Sequence, residues 1–287
     1  SGMHRRLSLG QHCEALGRPY FIGASTLGTA TWRGRSGEVR ETSTSFALGE
    51  LVHARNLELK PGFSLQGIDR QVWEFVARGP ARAGEWNLAT GDSIRVVRTA
   101  TPFLEELRRR IGASESPHRL GEVFYRLRRE NERLSLSVDN LADVLAPDAA
   151  APALEVAVEK VSTAERRWLV KVRLANRSSE STDLAYFDSN FVQLEVAGAT
   201  IGGVEPGDFQ RFELLADGEK GTMRAYREAN TVRFFLPLVE EHQEAATGTI
   251  ELKLAQRAPA ITVSANFLLA DGKDLKVEPR EWQFETP

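Results

Sequence analysis

The chain has 287 residues, a formal charge of -3, and 41% hydrophobic against 27% charged residues. That length suits two domains, and a composition near the globular average excludes collagen-like, coiled-coil and wholly disordered chains. With 37 basic and 40 acidic residues the balance makes no case for a nucleic-acid or membrane-surface protein.

The single cysteine, Cys13, rules out an intramolecular disulfide and every Cys-rich zinc pattern. Apolar runs fall short of the roughly 18 residues a membrane helix needs, so no membrane span is expected. Ser1-Gly2 ahead of Met3 has the look of a tag remnant. With Met3 as the natural start a cytoplasmic protein is expected, whereas a chain trimmed of a leader or anchor belongs outside the cytoplasm.

From Tyr20 to Arg98 short apolar stretches alternate with Gly, Ser, Thr and Asn, the pattern of β-structure with frequent turns. Strands are predicted at Tyr20–Trp32, Glu38–Leu48, His53–Leu59, Val72–Ala77 and Ile94–Arg98. Gly34 and Gly37 supply turn chemistry between the first two, Lys60-Pro61-Gly62 and Thr90-Gly91-Asp92 mark later turns, and the whole predicts a β-roll or small barrel. A helix follows, with Thr101 as cap, Pro102 at its first position and Gly112 as stop, carrying Glu105–Arg109 and Glu106–Arg110 pairs. Leu120, Val123, Phe124 and Leu127 recur at i, i+3, i+4 and i+7, which predicts a second helix after Ser116-Pro117. A third, shorter helix is expected over Ser137–Ala146. Residues 1–146 are thus read as an α+β roll with two to three helices, and the proline- and alanine-rich stretch 147–153 as a linker.

Beyond it the alternation is regular: Leu154, Val156, Val158; Trp168, Val170, Val172, Leu174; Val192, Leu194, Val196; Ile250, Leu252, Leu254; Ile261, Val263, Ala265, Phe267, Leu269. Charged residues such as Lys171, Arg173, Glu195 and Lys253 occupy the other phase, so one face is buried and one is wet. A mainly β chain is expected, ending over 154–287 in an antiparallel two-sheet sandwich. Two Leu-Leu-Ala-Asp-Gly strings, at Leu214–Gly218 and Leu268–Gly272, are hairpin signals.

The run Trp168-Leu169-Val170-Lys171-Val172-Arg173-Leu174-Ala175-Asn176-Arg177-Ser178, followed by Phe187, by Phe191–Val196 and by Asp217-Gly218, resembles the immunoglobulin-like β-sandwich modules of bacterial proteins. In those modules a strand ends in Asn-x-Ser and the chain returns through an aromatic-led strand. The resemblance covers 154–287, implies a binding or spacer role, and carries no catalytic residues. A second stretch, Arg126–Asn131 followed by Leu134–Ser137 and Leu141–Leu145, resembles the first two helices of the repressor-type helix-turn-helix family over fewer than thirty residues. A recognition helix should follow it, yet the chain runs into Pro147. Eight arginines lie between Arg108 and Arg133, interleaved with glutamates as on a solvated helical face, which makes nucleic acid an unlikely partner.

Chemistry-bearing residues are sparse. If Glu240–Glu244 is a strand, Glu240, His242 and Glu244 share a face suited to a divalent metal; as a solvated acidic loop they do not. His12-Cys13 lacks the geometry of a nucleophile pair, Gly23–Gly28 matches a serine-hydrolase elbow only with one residue ignored, and no phosphate cradle is present. Glu105-Glu106 and Glu240-Glu241 are the adjacent carboxylates, without a pairing in space. Trp32, Trp73 and Trp86, rimmed by Arg33, Arg35 and Arg82, form a candidate interaction surface, or else their rings fill a roll short of bulk. No catalytic, metal or cofactor residue is assigned. The leading expectation is a non-enzymatic bacterial protein that acts by protein–protein contact or as a scaffold in assembly, with another protein as partner. The alternatives are a hydrolase housed in residues 20–145, with the sandwich as accessory, and a DNA-associated regulator using the Arg-rich helices.

Overall fold

In the computed structural model, residues 11–66, 70–112, 116–145, 153–164, 166–178, 180–184, 189–255, 259–269 and 273–283 are described. The contacts divide the chain into two compact units, Ser1–Ala149 and Ala150–Pro287. Both are dominated by antiparallel β-structure. Residues 147–152 of the 147–153 segment read as a linker lie outside the described residues, as do Phe187 and the Asp271-Gly272 turn.

In the first unit α1 (residues 11–15) precedes the stretch read as one strand, which proves to be two: β1 (Tyr20–Ser25) and β2 (Thr29–Arg33), in different sheets. The break has a steric cause. Gly28 lies so close to the 134–136 backbone that an added Cβ would sit 2.0 Å from the Leu134 carbonyl oxygen. Leu136 N–H donates to the Thr26 carbonyl and Gly28 N–H to the Ser135 hydroxyl across the same contact. The Gly34 and Gly37 turn forms as read, joining β2 to β3 (Val39–Ser43), with Gly37 at φ 89°.

The predicted Glu38–Leu48 strand is shorter, because Leu48–His53 turns into helix α2, which buries Leu48 and Leu51 at i, i+3 spacing. The strand expected from His53 begins at Leu57 instead, as β4 (Leu57–Gln66). Lys60-Pro61-Gly62 lies inside it rather than ending it; the register against β5 (Gln71–Ala77) shifts between Leu59 and Ser64. Proline has no N–H to give a ladder, so an irregularity falls where it stands. The hairpin β6 (Ala81–Ala83) and β7 (Trp86–Leu88) forms a two-stranded sheet of its own, and β8 (Ser93–Arg98) then completes an open sheet of order β3-β2-β8-β5-β4. Edge strands β3 and β4 do not close on one another, so the expected barrel is an open sheet.

Helix α3 (Thr101–Gly112) forms where it was expected, with Thr101 as its first residue rather than its cap, Pro102 second and Gly112 still helical, and Glu106 holds both Arg109 and Arg110 where two separate pairs were expected. The predicted second helix is absent: Arg119–Tyr125 is strand β9, paired in parallel with β1 from Tyr20↔Arg119 to Ser25↔Tyr125. Leu120, Val123, Phe124 and Leu127 satisfy a helical spacing, but the partner strand nearly 100 residues earlier decides the conformation. Helix α4 (Val138–Leu145) is present, started by a reciprocal cap in which Asn140 N–H donates to the Ser137 hydroxyl and Ser137 N–H to Asn140 Oδ1. Because residues 126–137 are irregular and turn rather than helical, leaving α4 alone, the helix-turn-helix resemblance is not realised.

The second unit is the expected sandwich. One sheet runs β10 (Leu154–Ala164), β11 (Arg167–Asn176), β18 (Ile250–Leu254), β13 (Ala199–Val204), with β17 (Glu244–Ala246) also on β11. The other runs β15 (Glu219–Lys220), β14 (Arg211–Ala216), β16 (Thr231–Phe235), β12 (Phe191–Ala197), β19 (Ala260–Leu268), β20 (Asp274–Trp282), with the short helix α5 (Met223–Arg227) between β15 and β16. Trp168, Val170, Val172, Leu194, Val232, Phe234, Ile250 and Phe267 meet in one core between the sheets. The Asp217-Gly218 hairpin has both residues at positive φ, 50° and 84°, the geometry a two-residue hairpin of the right twist requires.

Two buried amides fasten the loops. Asn176 donates to the Glu180 and Glu240 carbonyls and accepts from Ser178. Asn190 donates to the carbonyls of Asp183 and Pro237 and accepts from Leu268 N–H. Each amide is satisfied at both ends, as burial demands.

The strand phase is testable on β11. Val170 is fully buried, whereas Lys171 is only partly so. Val170→Asp is expected to cost about 3 kcal/mol or more by placing an unpaired carboxylate in the core, while Lys171→Asp stays within about 1 kcal/mol. Urea denaturation of the two variants checks this.

Candidate interaction surfaces

The tryptophan patch read from the sequence separates into core and surface. Trp73, on β5, is 2% exposed and Trp86, on β7, is 3% exposed. The Phe46 ring stacks 4.4 Å from Trp86 and crowds Gly84, where a Cβ would come within 2.5 Å of it. Trp32, at the end of β2, is half-buried, with its ring 6.0 Å from that of Trp86. The named arginines serve turns: Arg33 donates to the Gly37 carbonyl, Arg82 to the Gly84 carbonyl, and the Arg35 stem packs over Gly91.

Two residues the sequence reading passed over organise Trp32. Asp92 is buried and accepts from Trp32 Nε1 at 3.0 Å and from Ala89 N–H at 3.0 Å. Arg40 sits 5.2 Å over the Trp32 ring and reaches the same carboxylate at 3.5 Å. Their signals were present but mute: Asp92 follows Gly91 in a turn, and Arg40 falls at the register shift that pairs Trp32 with Glu41 and Arg33 with Val39. Beside Trp86 a cleft of about 160 Å³ is lined by Glu41, Glu50 and Glu85 with Phe46. Its carboxylates and aromatic rings suit a cationic side chain.

The residues weighed for chemistry take structural positions. Glu240–Gln243 is a turn, with His242 at φ 54° and Gln243 N–H donating to the Glu240 carbonyl, so Glu240, His242 and Glu244 do not share a strand face. Glu106 lies in the fork of Arg109 and then Arg110, whose hydrogen bonds push its carboxyl down to about 2. It therefore stays ionised at neutral pH. The Cys13 carbonyl accepts from Arg18 N–H at 2.8 Å, and the thiol belongs to α1.

A surface lies on the β1–β9 ribbon, whose β1 half was expected as strand and whose β9 half was expected as helix. Its inner residues Ile22, Ala24 and Phe124 pack on Leu104 and Leu107 of α3 and on Leu141 and Val144 of α4. By strand alternation Phe21, Gly23 and Ser25 and their register partners Gly121, Val123 and Tyr125 share the opposite face. There Phe21 is 57% exposed, Val123 48% and Tyr125 63%, with Leu16, Leu120 and Leu127 also exposed nearby in sequence. Parallel strands are normally covered on both faces, so an uncovered apolar side is a departure that calls for a cause.

Past the ribbon the chain is clamped by Glu132, which is buried, pairs with Arg126 and accepts the Arg129 N–H at 3.0 Å. Burial opposes its charge, but the Arg129 N–H and the Arg126 guanidinium outweigh that, holding the carboxyl below the usual carboxylate range.

No family model matches the chain, and no curated protein does. Among solved structures, the GH20 exo-β-N-acetylglucosaminidase of Vibrio harveyi is 8% identical over 45% of this chain and 17% of that one, with a TM-score of 0.23. A Bordetella pertussis structural-genomics target is 15% identical over 47% of this chain and 95% of that one, at 0.26. The collagen-binding subdomain ACE19 of the Enterococcus faecalis surface protein ACE is 10% identical over 47% of this chain and 98% of that one, at 0.26. The chain thus spans about a sixth of the glycosidase. Scores this low establish no shared fold, and the sandwich rests on its own sheets and core.

Two outcomes follow. Asp92→Ala strands the Trp32 and Ala89 donors and is expected to cost about 2 kcal/mol or more, against about 0.5 kcal/mol or less for Arg35→Ala, by thermal denaturation. A depressed folded pKa at Glu132 contributes stability in full above the unfolded value and loses it as pH falls through the folded one. Glu132→Gln is therefore expected to be less stable than wild type at pH 7, with the gap closing as pH drops below about 4.5, the ordinary carboxyl value, in denaturation curves.

Proposed function

We propose that this chain is a non-enzymatic binding protein that works through contact with another protein, with the C-terminal sandwich serving as an immunoglobulin-like binding or spacer module of the bacterial type. The observation that carries the reading is the outward face of the β1–β9 ribbon. Phe21, Val123 and Tyr125 stand on it, each about half exposed or more, while the inner face of the same two strands is packed. Grouped aromatic and β-branched side chains in water are the composition of an interface core before its partner arrives.

Capture from source-cell lysate, using the full chain as bait, tests this. Wild type is expected to retain a specific protein that Val123→Glu releases, with the melting temperatures of the two baits within about 2 °C of each other, since surface substitutions change stability little. Equal capture by both baits, or none by either, contradicts the reading.

A further inference from the structure

We infer that the outward face of the β1–β9 ribbon docks an extended, acidic segment of a separate protein, apolar at alternate positions and carboxylate-bearing between them. This rests on the protein-contact reading above and specifies its partner.

Shape comes first. Two of the three bulky residues of the face stand opposite a glycine, Phe21 against Gly121 and Val123 against Gly23, and the third, Tyr125, stands opposite Ser25. An added Cβ at Gly23 would find nothing nearer than the Val123 carbonyl oxygen at 4.0 Å, and one at Gly121 would meet the Phe21 ring at 3.7 Å. The surface is therefore a run of side-chain knobs with open backbone beside Val123, at Gly23, and a shallower gap at Gly121, where the Phe21 ring lies close. Residues of like phase on an extended strand repeat about every 6.8 Å, so a partner strand can seat its own apolar side chains in those gaps.

Charge decides what lies between those side chains. Residues 16–26 and 116–133 carry six arginines, Arg18, Arg119, Arg126, Arg128, Arg129 and Arg133, and three glutamates. Glu132 takes up Arg126 of that set, and Glu122 is engaged by Arg108 from outside it, which leaves five arginines against Glu130. In sequence Arg18 thus leads into β1, and Arg129 and Arg133 follow β9. A second copy of this chain would bring the same arginines against one another, whereas carboxylates on a partner segment would complement them and fix its register. An anionic membrane shares the charge, but it makes no use of knobs and gaps set at strand spacing.

The test uses the full-length protein and two fluorescein-labelled ten-residue peptides, one alternating Val with Glu and one alternating Val with Lys, followed by fluorescence anisotropy. Vesicles of phosphatidylcholine with phosphatidylserine serve in a co-sedimentation arm, and sedimentation velocity reports self-association. The Glu peptide is expected to bind at least about tenfold more tightly than the Lys peptide, and to weaken by a similar factor on Val123→Glu. Combined Arg18→Glu and Arg129→Glu should narrow or reverse the preference. Equal or better binding of the Lys peptide, binding unchanged by Val123→Glu, no binding of either peptide, a dimer that Val123→Glu dissolves, or attachment to vesicles alone would overturn the assignment. If the Glu peptide fails while a lysate protein is still lost from the Val123→Glu bait, the partner class is wrong and the protein-contact reading stands.

Discussion

The packing of Ile22, Ala24 and Phe124 against α3 and α4 fixes the sidedness of the β1–β9 ribbon, and the surface of that region follows from it. Once alternate residues are committed inward, Phe21, Val123 and Tyr125 must point out. The ribbon is anchored at its far end by Thr26, which takes the Leu136 N–H on its carbonyl and donates its hydroxyl to the Arg126 carbonyl. Glu132 then holds Arg126 and Arg129 behind it. Apolar burial and a short polar clamp thus present one face to solvent as a defined surface.

The sandwich solves a different problem with the same alternation. Its inward residues fill one continuous core, and its loops are held by amides that satisfy carbonyls from distant segments. On its outer face Arg211 stacks 3.8 Å from the centre of the Phe235 ring and Arg233 lies 4.9 Å from that of Phe191. Guanidinium groups cover these aromatic rings, so they are not an open patch like that of the ribbon. Exposed apolar side chains of the sandwich, Val161, Phe212 and Met223, stand apart in sequence, whereas Phe21, Val123 and Tyr125 share one face of the ribbon.

How much of this the sequence disclosed depends on where the deciding contact lies. Along β11 the phase is set by each residue's own neighbours, so Trp168, Val170 and Val172 were legible as core. The Asp217-Gly218 turn was equally local, since its backbone needs positive φ. Leu120, Val123 and Phe124 fit a helix as well as a strand, and only pairing with Tyr20–Ser25 resolves them. Phe46 closes over Trp86, and Asp92 reaches back to Trp32 from a turn 60 residues further along the chain; neither contact leaves a spacing to read. The surface that carries the functional reading was hidden for the same reason: Val123 was spent on a helical stripe, and nothing local joined it to Phe21 on the strand read about 100 residues earlier.

Hydroxyl-radical footprinting of the full chain tests the central claim most directly, because labelling rates report side-chain exposure without a partner. Phe21 and Tyr125 are expected to label as fast as exposed reference side chains, while Phe75, Trp73 and Trp86 are protected. Protection of Phe21 and Tyr125 in a monomeric sample would contradict the account, for the outward face of the ribbon would then already be covered.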